Sequence, residues 1–440
     1  MFDPGRDEMS GGRLAIFGGK PAVTEKSPPW PYFTDEDIEA VRRGMLKGRE
    51  DWTWACTAAG GELTERLERE FAEWLGRKYV ISTSSGGAAL HIACMAAGIQ
   101  LGDEVITTPF SWGQTSSCIL QAGGIPIFAD IHPETLTIDP EKIEPLITER
   151  TKAIVLVHIG GIPADMDAIM AIAERHDLIV IEDCAQAQGS LYRGRQVGTF
   201  GHLGCFSVGS GKNMAVSEGG FIATDDRDLY ERALLAGMHP GRLQKEITLK
   251  AYRERIDSLI YTYRMNALSA AMALNQLRYV HERNEWRRRN VAKLRELLKG
   301  VPGIRPLNLP EHLDPAWHMV HWTFVPEDLP GVTREQYIKA LQAEGVPISG
   351  SYVGTPIHLR YTFLRKEWWL GKGYPWRANP KGDKIVYRTG DCPVAERRCF
   401  EQDIVLGGGA WWRDVTPLLE GIAEAFHKVT AQPQRLREVP

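Results

Sequence analysis

The stretch Leu178-Ile179-Val180-Ile181-Glu182-Asp183 decides how this chain folds. Its first four residues form an unbroken apolar run, which is typical of a strand buried on both faces of a parallel sheet. The strand carries two carboxylates at its carboxyl end, the edge where ligands bind in open α/β sheets. We therefore expect Asp183 to lie in a ligand site. A helix N-cap is the alternative role for an aspartate that follows a strand.

Lys212 lies 29 positions after Asp183, in the segment Gly204-Cys205-Phe206-Ser207-Val208-Gly209-Ser210-Gly211-Lys212-Asn213-Met214. A solvated surface lysine is the default interpretation, but its neighbours are small or apolar rather than charged. Pyridoxal phosphate requires a lysine that holds its aldehyde as a Schiff base and a carboxylate that keeps its pyridine nitrogen protonated. Lys212 and Asp183 therefore predict a pyridoxal phosphate enzyme, an aminotransferase or a close relative.

A turn of small residues, Ser84-Ser85-Gly86-Gly87, precedes a predicted helix nearer the N-terminus. Backbone N–H groups at such a helix start bind phosphate when no bulky side chain stands in the way. Ser207, five residues before Lys212, offers a hydroxyl to the same phosphate. A plain loop is the alternative interpretation of the Gly/Ser turn.

Trp112 follows the predicted strand that ends near Thr108. An aromatic side chain at the carboxyl end of a strand can stack on a flat ring, and Trp112 is well placed for this. Packing in the core is the alternative, because most aromatic side chains have that role.

Strands and helices alternate from about residue 35 to 278, which predicts a large domain with a mostly parallel sheet flanked by helices. Residues 1–34, rich in glycine and proline, are predicted to form an extended arm. The predicted strands lie near 79–82, 104–108, 126–129, 153–157 and 178–181. The predicted helices lie near 63–75, 87–97, 114–122 and 165–175.

Residues 279–440 are predicted to hold a connecting helix and a smaller α+β domain. A long helix is expected over 267–298, and its arginines, from Arg283 to Arg295, are expected to form a solvated face rather than an anion site. Further strands are expected near 318–325 and 346–352, and helices near 334–344 and 414–430. The aromatic stretch 368–376 either contacts a sugar-like substrate or buries against the large domain or a partner.

Composition narrows the class of protein. The 440 residues are 43% hydrophobic and carry a net charge of −4, which argues against a general nucleic-acid binder. No apolar run of about 18 residues and no signal-peptide core are present, so we expect a cytoplasmic enzyme without a membrane span. The seven cysteines contain no CxxC pair, so neither disulfides nor a metal site is indicated.

Several motifs resemble the DegT/DnrJ/EryC1/StrS family of sugar and cyclitol aminotransferases, within the type I fold of pyridoxal phosphate enzymes. The likeness runs from about Gly18 to Leu406. In order, the motifs are Gly18-Gly19-Lys20-Pro21 with Trp30-Pro31, Ser84-Ser85-Gly86, Gly102-Asp103-Glu104-Val105-Ile106, Val157-His158-Ile159-Gly160-Gly161, Glu182-Asp183-Cys184-Ala185-Gln186-Ala187, Lys212-Asn213-Met214 with Glu218-Gly219-Gly220, and Tyr263-Arg264-Met265.

The resemblance implies roles for residues of this chain. Lys212 and Asp183 are similar to the catalytic lysine and the pyridinium partner, and Gln186 to a residue that contacts the cofactor near its phenolic oxygen. The other implied cofactor contacts are the ring-stacking Trp112 and the phosphate-binding Ser85, Gly86, Gly87 and Ser207. Tyr352 and His358 are candidate substrate residues. Relatives that dehydrate sugars carry histidine at the lysine position, so Lys212 favours transamination.

Two positions depart from the family pattern. Gly87 stands where threonine is common, and Thr262 stands where an asparagine often reaches the cofactor phosphate of the partner subunit. The resemblance also implies a homodimer with its site at the interface. The lysine segment and the opening Pro28-Pro29-Trp30-Pro31 look most like the cyclitol-ketone and aminohydroxybenzoate branches.

The implied reaction transfers an amino group from glutamine or glutamate to a ketone on a sugar or cyclitol ring, with pyridoxamine phosphate as the intermediate cofactor form. A dehydratase or lyase on the same scaffold and a non-catalytic pyridoxal phosphate-binding regulator are the alternatives. The acceptor and the choice of donor stay open at this point.

Overall fold

A computed structural model describes residues 12–51, 54 and 61–440 of the chain. Within them the architecture is α/β, with a mostly parallel sheet flanked by helices and a smaller antiparallel sheet nearer the C-terminus. Two main apolar clusters pack on the large sheet, one on each of its faces, and the first continues under the smaller sheet.

The large sheet has seven strands within the described residues. They are β1 Tyr79–Thr83, β2 Glu104–Thr107, β3 Ile125–Phe128, β4 Thr151–Val157, β5 Ile179–Asp183, β6 Leu203–Ser207 and β7 Gly220–Thr224. Their spatial order is β1-β7-β6-β5-β4-β2-β3, and β7 alone in this sheet runs antiparallel to its neighbours. The carboxyl ends of the other strands therefore meet at one edge.

The small sheet is antiparallel and comprises β8 Ile304–Pro306, β9 Met319–Phe324, β10 Ile348–Ser349 and β11 Asp403–Gly408, in the order β8-β9-β11-β10. Two-residue strands elsewhere are Leu191–Tyr192, Arg195–Gln196 and Leu313–Asp314, which pair together, and the hairpin Glu367–Trp368 with Gly371–Lys372.

The longer helices cover both faces of the large sheet and pack beside the small one. They are α1 Asp35–Glu50, α2 Glu62–Leu75, α3 Gly86–Ala96, α4 Gln114–Gln121, α5 Met166–Arg175, α6 Arg227–Gly237, α7 Pro240–Glu246, α8 Ala267–Gln276, α9 Val280–Leu297, α10 Arg334–Ala343 and α11 Thr416–Thr430. Short helices span Lys250–Arg253, Tyr361–Arg365, Pro393–Arg397 and Pro433–Leu436, with a π-helical turn at Arg398–Gln402. Single 3₁₀ turns lie at Ala15–Phe17, Pro140–Lys142, Glu144–Leu146, Ile159–Gly161, Leu277–Tyr279, Pro326–Asp328, Ile357–Leu359, Trp376–Ala378 and Gly382–Lys384.

No helix in the described part of the chain is both long and apolar enough to cross a membrane.

The N-terminal segment from residue 13 to 23 is fastened to the small sheet's helices, whereas the first eleven residues of the predicted arm lie outside the described residues. The backbone N–H groups of Ala15 and Ala22 donate to the buried carboxylate of Glu344 at 2.8 and 3.0 Å. Lys428 of α11 pairs with the same carboxylate at 2.8 Å. A buried carboxylate with these partners holds the segment in place.

The prediction of a solvated arginine face was wrong for Arg283 and Arg287, whereas Arg289 is exposed as expected. A 3₁₀ turn, Leu277–Tyr279, separates α8 from α9, and both Arg283 and Arg287 are buried. The Arg287 guanidinium donates to Gly409 O and to Asn284 Oδ1 and lies 4.8 Å from the Trp30 ring centroid. Carbonyls and aromatic rings replace water around these charges, which charge patterning in the sequence does not reveal.

Candidate active site

A cavity of about 400 Å³ opens at the carboxyl edge of the large sheet. The residues that follow β1, β2, β4, β5 and β6 meet there, as expected where parallel strands end together. Its lining comprises Ser84, Ser85, Gly86, Gly87, Ala88, Leu90, Ser111, Trp112, Gln114, Thr115, Gln121, Val157, Asp183, Ala185, Gln186, Ser207, Lys212 and Tyr263.

Asp183 is the last residue of β5, and its carboxylate is buried and held by two donors. The Thr115 hydroxyl donates to Oδ2 at 2.9 Å, and the Ala185 N–H donates to Oδ1 at 3.0 Å. The Thr115 oxygen accepts in turn from Ser111 at 2.8 Å. Burial raises the pKa of Asp183, while Ala185, Thr115 and the charge on Lys212 lower it in part.

Lys212 lies in the loop after β6, which begins where the strand ends at Ser207. Its backbone N–H donates to Gly209 O at 2.9 Å, which closes a tight turn. Burial of the side chain lowers the pKa of Lys212, and the negative charge on Asp183 opposes that shift. A neutral amine is therefore available at lower pH than on a free lysine.

Glu182 and His158 form a fully buried pair under this edge of the sheet. His158 Nε2 lies 3.1 Å from Glu182 Oε2, and His158 Nδ1 accepts from Ala164 N at 3.0 Å, so Nε2 carries the proton. The carboxylate also accepts from the backbone N–H groups of Gly198, Phe200 and Gly201. Burial raises the pKa of Glu182, but these hydrogen bonds outweigh it and the pKa lies below its ordinary value.

These two residues and Cys184 place potential metal ligands within 4.8 Å of one another. The ring nitrogens of His158 and the carboxylate oxygens of Glu182 already have hydrogen-bond partners in the protein. These hydrogen bonds attach residues 198–201 to β5, which explains the arrangement.

The predicted phosphate cradle lies at the start of α3. Ser85 is the N-cap, and its side chain accepts from Ala88 N at 3.1 Å. A β-carbon at Gly86 would lie 2.5 Å from Ser207 Cβ, so the absence of a side chain lets Ser207 approach the helix start. Glycine at 86 and 87 also leaves the first backbone N–H groups of α3 open to the cavity.

Gln186 and Trp112 also line the cavity, and the ring of Tyr352, outside the lining, lies beside Trp112. Gln186 Oε1 accepts from Gly160 N at 2.7 Å. Burial and the nearby charge on Asp183 raise the pKa of Tyr352 to about 12, so its hydroxyl stays protonated. Trp112 is 62% exposed, with its ring centroid 6.3 Å from that of Tyr352.

Three residues named from the sequence lie outside this cavity lining: Tyr352, described above, His358 and Thr262. His358 is buried with its Nε2 3.0 Å from Glu396 Oε1, and it packs on Phe128. This pairing explains His358 as a structural residue, so the structure does not support a substrate contact. Thr262 is exposed and does not line the cavity of its own subunit, so its contact with a partner stays a prediction.

The aromatic stretch 368–376 divides between two environments. Trp376 is buried, and its Nε1 donates to the Tyr387 hydroxyl at 3.0 Å. Trp369 is 71% exposed. Neither residue lines the cavity.

Several residues of the site were not found from the sequence. Thr115 and Gln114 begin α4, and only the packing of α4 beside α3, β2 and β3 brings them to the cavity. The ring of His318 lies within electrostatic range of Lys212, and burial with the charges of Lys212 and Arg287 holds its pKa well below the ordinary value. The sequence gives one weak indication of Gln114 and Thr115: they are amide and hydroxyl side chains that follow Trp112 closely.

The donor set fits pyridoxal phosphate. A carboxylate, an amine of lowered pKa and an anion-binding helix start line one cavity, which is the set of groups that a pyridine nitrogen, an aldehyde and a phosphate require. Glycine at positions 86 and 87 lets Ser207 and Gln114 approach the start of α3, because a β-carbon at either position would meet one of them.

Comparison with known proteins adds an independent line of evidence. The family model described as the DegT/DnrJ/EryC1/StrS aminotransferase family matches residues 42–371. The chain is 34% identical over 431 residues to a putative L-glutamine:3-amino-2,3-dideoxy-scyllo-inosose aminotransferase of Streptoalloteichus tenebrarius, covering 95% of this chain and 99% of the relative. It is 36% identical over 395 residues to the L-glutamine:2-deoxy-scyllo-inosose aminotransferase of Streptomyces lividus, covering 87% and 90%.

Among solved structures, 3-amino-5-hydroxybenzoic acid synthase matches with a TM-score of 0.76 at 25% identity, covering 94% of this chain and all of that one. This likeness confirms the fold class predicted from the sequence, and the relatives confirm the branch that the motifs resembled.

Proposed function

The chain belongs to the DegT/DnrJ/EryC1/StrS aminotransferase family, and from this membership we propose that it moves an amino group from glutamine or glutamate to a ketone on a cyclitol or sugar ring. Proteins of this family depend on pyridoxal phosphate. The convergence of Lys212, Asp183 and the start of α3 in one cavity is the observation that carries the proposal. The glutamine and scyllo-inosose in the names of the relatives support the donor and acceptor classes.

The proposed cofactor residues divide the cavity by chemistry. Asp183 would hold a proton on the ring nitrogen, and Thr115 with the Ala185 N–H fixes the carboxylate for that contact. The N–H groups at the start of α3, with Ser85 and Ser207, would bind the phosphate. Gln186 would contact the phenolic oxygen, and Trp112 would cover one ring face.

When bound, pyridoxal phosphate supplies an aldehyde that takes up the amino group and a ring that makes the α-proton of the donor acidic. Lys212 would hold the aldehyde carbon at rest. Once displaced by the donor, its Nζ would take the α-proton and return it to the carbon that had been the aldehyde carbon of the cofactor, acting as base and then as acid. The lowered pKa of Lys212 suits the first of these roles, because a protonated amine cannot accept a proton.

Donor recognition is assigned to Arg360. Its guanidinium is half-buried, and its Nε and Nη2 donate to the carbonyls of Thr355 and Val353 at 3.2 Å. No carboxylate in the described part of the chain pairs with it. A β-carbon at Gly113 would lie 3.0 Å from its Nη1, so the cation stands beside the residue that follows Trp112. A cation in this position matches the α-carboxylate of an amino acid.

Acceptor recognition is assigned to Trp112 and Tyr352. The exposed indole and the neighbouring phenol offer a flat apolar face with a hydroxyl at its edge. A polyhydroxylated ring presents C–H groups to such a face and hydroxyls to its polar edge.

The test supplies the purified protein with pyridoxal phosphate, L-glutamine and 2-deoxy-scyllo-inosose, and follows the amino-cyclitol by mass spectrometry. We expect product from the natural chain and from Lys299→Ala, which replaces an exposed lysine. We expect none from Lys212→Ala. A nucleotide-linked keto-sugar, tested in parallel, identifies the acceptor class. Product formation by Lys212→Ala at the natural rate would refute the assignment.

A further inference from the structure

Gln114, the first residue of α4, reaches across to the first turn of α3. A β-carbon at Gly87 would lie 2.9 Å from Gln114 Cδ and 3.0 Å from Gln114 Nε2. The side-chain amide therefore occupies the space directly beside Gly87. It lines the cavity, and its N and O atoms have no hydrogen-bond partner among the described residues.

The cradle around this amide already contains donors for an anion. Ser207 Oγ would lie 3.1 Å from a β-carbon at Gly86, on the same helix turn. The N–H of Ala88 is used by the Ser85 side chain, whereas those of Gly86 and Gly87 have no acceptor among the described residues. The Gln114 amide thus stands beside the donors that remain open.

Gly87 lets the Gln114 side chain approach α3. A β-carbon at position 87 would lie 2.9 Å from Gln114 Cδ, so the flexible Gln114 side chain would have to move to make room for it. A hydroxyl donor on α3 at position 87 would therefore displace the amide from its present place. This chain has the amide.

We propose that Gln114 binds the cofactor phosphate through its side-chain N–H, supplying from α4 the donor that a hydroxyl at position 87 would otherwise supply from α3. This inference rests on the proposed function, because it assumes that the cradle holds a phosphate. A hydrogen bond to a charged group contributes about 10- to 100-fold in affinity.

The first experiment titrates the apoprotein with pyridoxal phosphate and, separately, with pyridoxal, which lacks the phosphate. Gln114→Ala is expected to raise the Kd for pyridoxal phosphate by about 10- to 100-fold and to leave the Kd for pyridoxal unchanged. Gln100→Ala is the matched control, since that glutamine is exposed and outside the cavity lining. Thermal unfolding of each apoprotein shows whether the variant is folded.

The second experiment exchanges the two donors. Gly87→Thr alone is expected to move the Gln114 amide aside and to bind pyridoxal phosphate through the new hydroxyl with an affinity close to that of the natural chain. The double variant Gly87→Thr/Gln114→Ala is expected to recover most of the affinity lost in Gln114→Ala.

An unchanged Kd for pyridoxal phosphate in folded Gln114→Ala would overturn the inference. So would an equal loss of affinity for pyridoxal, since that would place the amide away from the phosphate. Failure of the natural chain to bind either compound would instead overturn the proposed function, and this inference with it.

Discussion

Asp183 is held in its carboxylate form by very few groups. It is fully buried, which raises its pKa, and the Thr115 hydroxyl is one of two donors that counter the effect. Because the carboxylate must be ionised to hold a proton on the ring nitrogen, its pKa sets the acidic limit of activity.

Thr115→Val is therefore expected to raise the pKa of Asp183 further. The acidic limb of the pH profile of kcat/KM should move to higher pH, with activity at neutral pH falling about 10-fold. Thr115→Ser keeps the hydroxyl and should behave as the natural chain. An unshifted acidic limb in Thr115→Val would show that this hydrogen bond does not control Asp183.

Substitution of Arg360 is expected to weaken binding of the amino donor without changing binding of the cofactor. Removal of this arginine should raise the KM for glutamine by about 10-fold or more, because a carboxylate would lose a charge-assisted hydrogen bond. The Kd for pyridoxal phosphate should stay unchanged. Arg377→Ala, at an exposed arginine, is the control. An unchanged KM for both glutamine and glutamate would remove Arg360 from the donor site.

At the scale of elements, Glu182 fastens β5 to the residues that lead into β6. Its carboxylate is fully buried and accepts hydrogen bonds from three backbone N–H groups and from His158 Nε2–H. In Glu182→Gln, the amide NH₂ group would face the same N–H donors without an acceptor between them. This substitution should lower the free energy of unfolding by about 3 kcal/mol. Urea unfolding of the apoprotein measures this, and a loss below about 0.5 kcal/mol would contradict it.

The same carboxylate predicts a direction for the pH dependence of stability. Its pKa in the folded chain lies below the ordinary value of 4.5. Its contribution is therefore complete above about pH 4.5 and is lost as the pH falls through the folded value. Glu182→Gln should remove that part of the acid sensitivity.

The elements differ in how far the sequence determines them. The predicted strands and helices of the large sheet agree with the structure to within about two residues, because long apolar runs and clear helix starts are local signals. The strand expected at 346–352 shrinks to Ile348–Ser349, since its extent depends on pairing with β11. The separate helices α8 and α9 were expected as one.

The residues of the site likewise divide into those that the sequence predicts and those that it does not. Asp183, Lys212 and Gly86 follow from strand ends and turn chemistry, and the structure brings them into one cavity. His358 was misplaced because a lone histidine gives no sign of a buried partner such as Glu396. Gln114 and Thr115 were missed because their role arises only when α4 packs beside α3.

At the scale of the whole molecule, the chain is expected to form a homodimer. Ile38 and Met45 lie on one side of α1 and are 63% and 60% exposed, and Leu268 is close to Gly44 of the same helix. We propose that these apolar side chains form part of the contact between the subunits. Sedimentation should give twice the 49.2 kDa chain mass.

Charged substitutions on this side of α1 test whether it forms the dimer contact. Ile38→Asp/Met45→Asp should shift the protein toward monomer and weaken cofactor binding if Thr262 of each subunit reaches the other's cradle. Glu36→Lys, at an exposed residue of the same helix, is the control for a change of charge. A natural chain that sediments at 49.2 kDa would contradict the dimer.

In the proposed function, Lys212 holds pyridoxal phosphate until an amino donor displaces it. The absorbance spectrum of the reconstituted protein, before and after L-glutamine, tests this most directly. We predict a band near ~420 nm that shifts toward ~330 nm with glutamine, and no lysine-bound band in Lys212→Ala. A band near ~420 nm that persists in Lys212→Ala, or no band in the natural chain after reconstitution, would contradict the account.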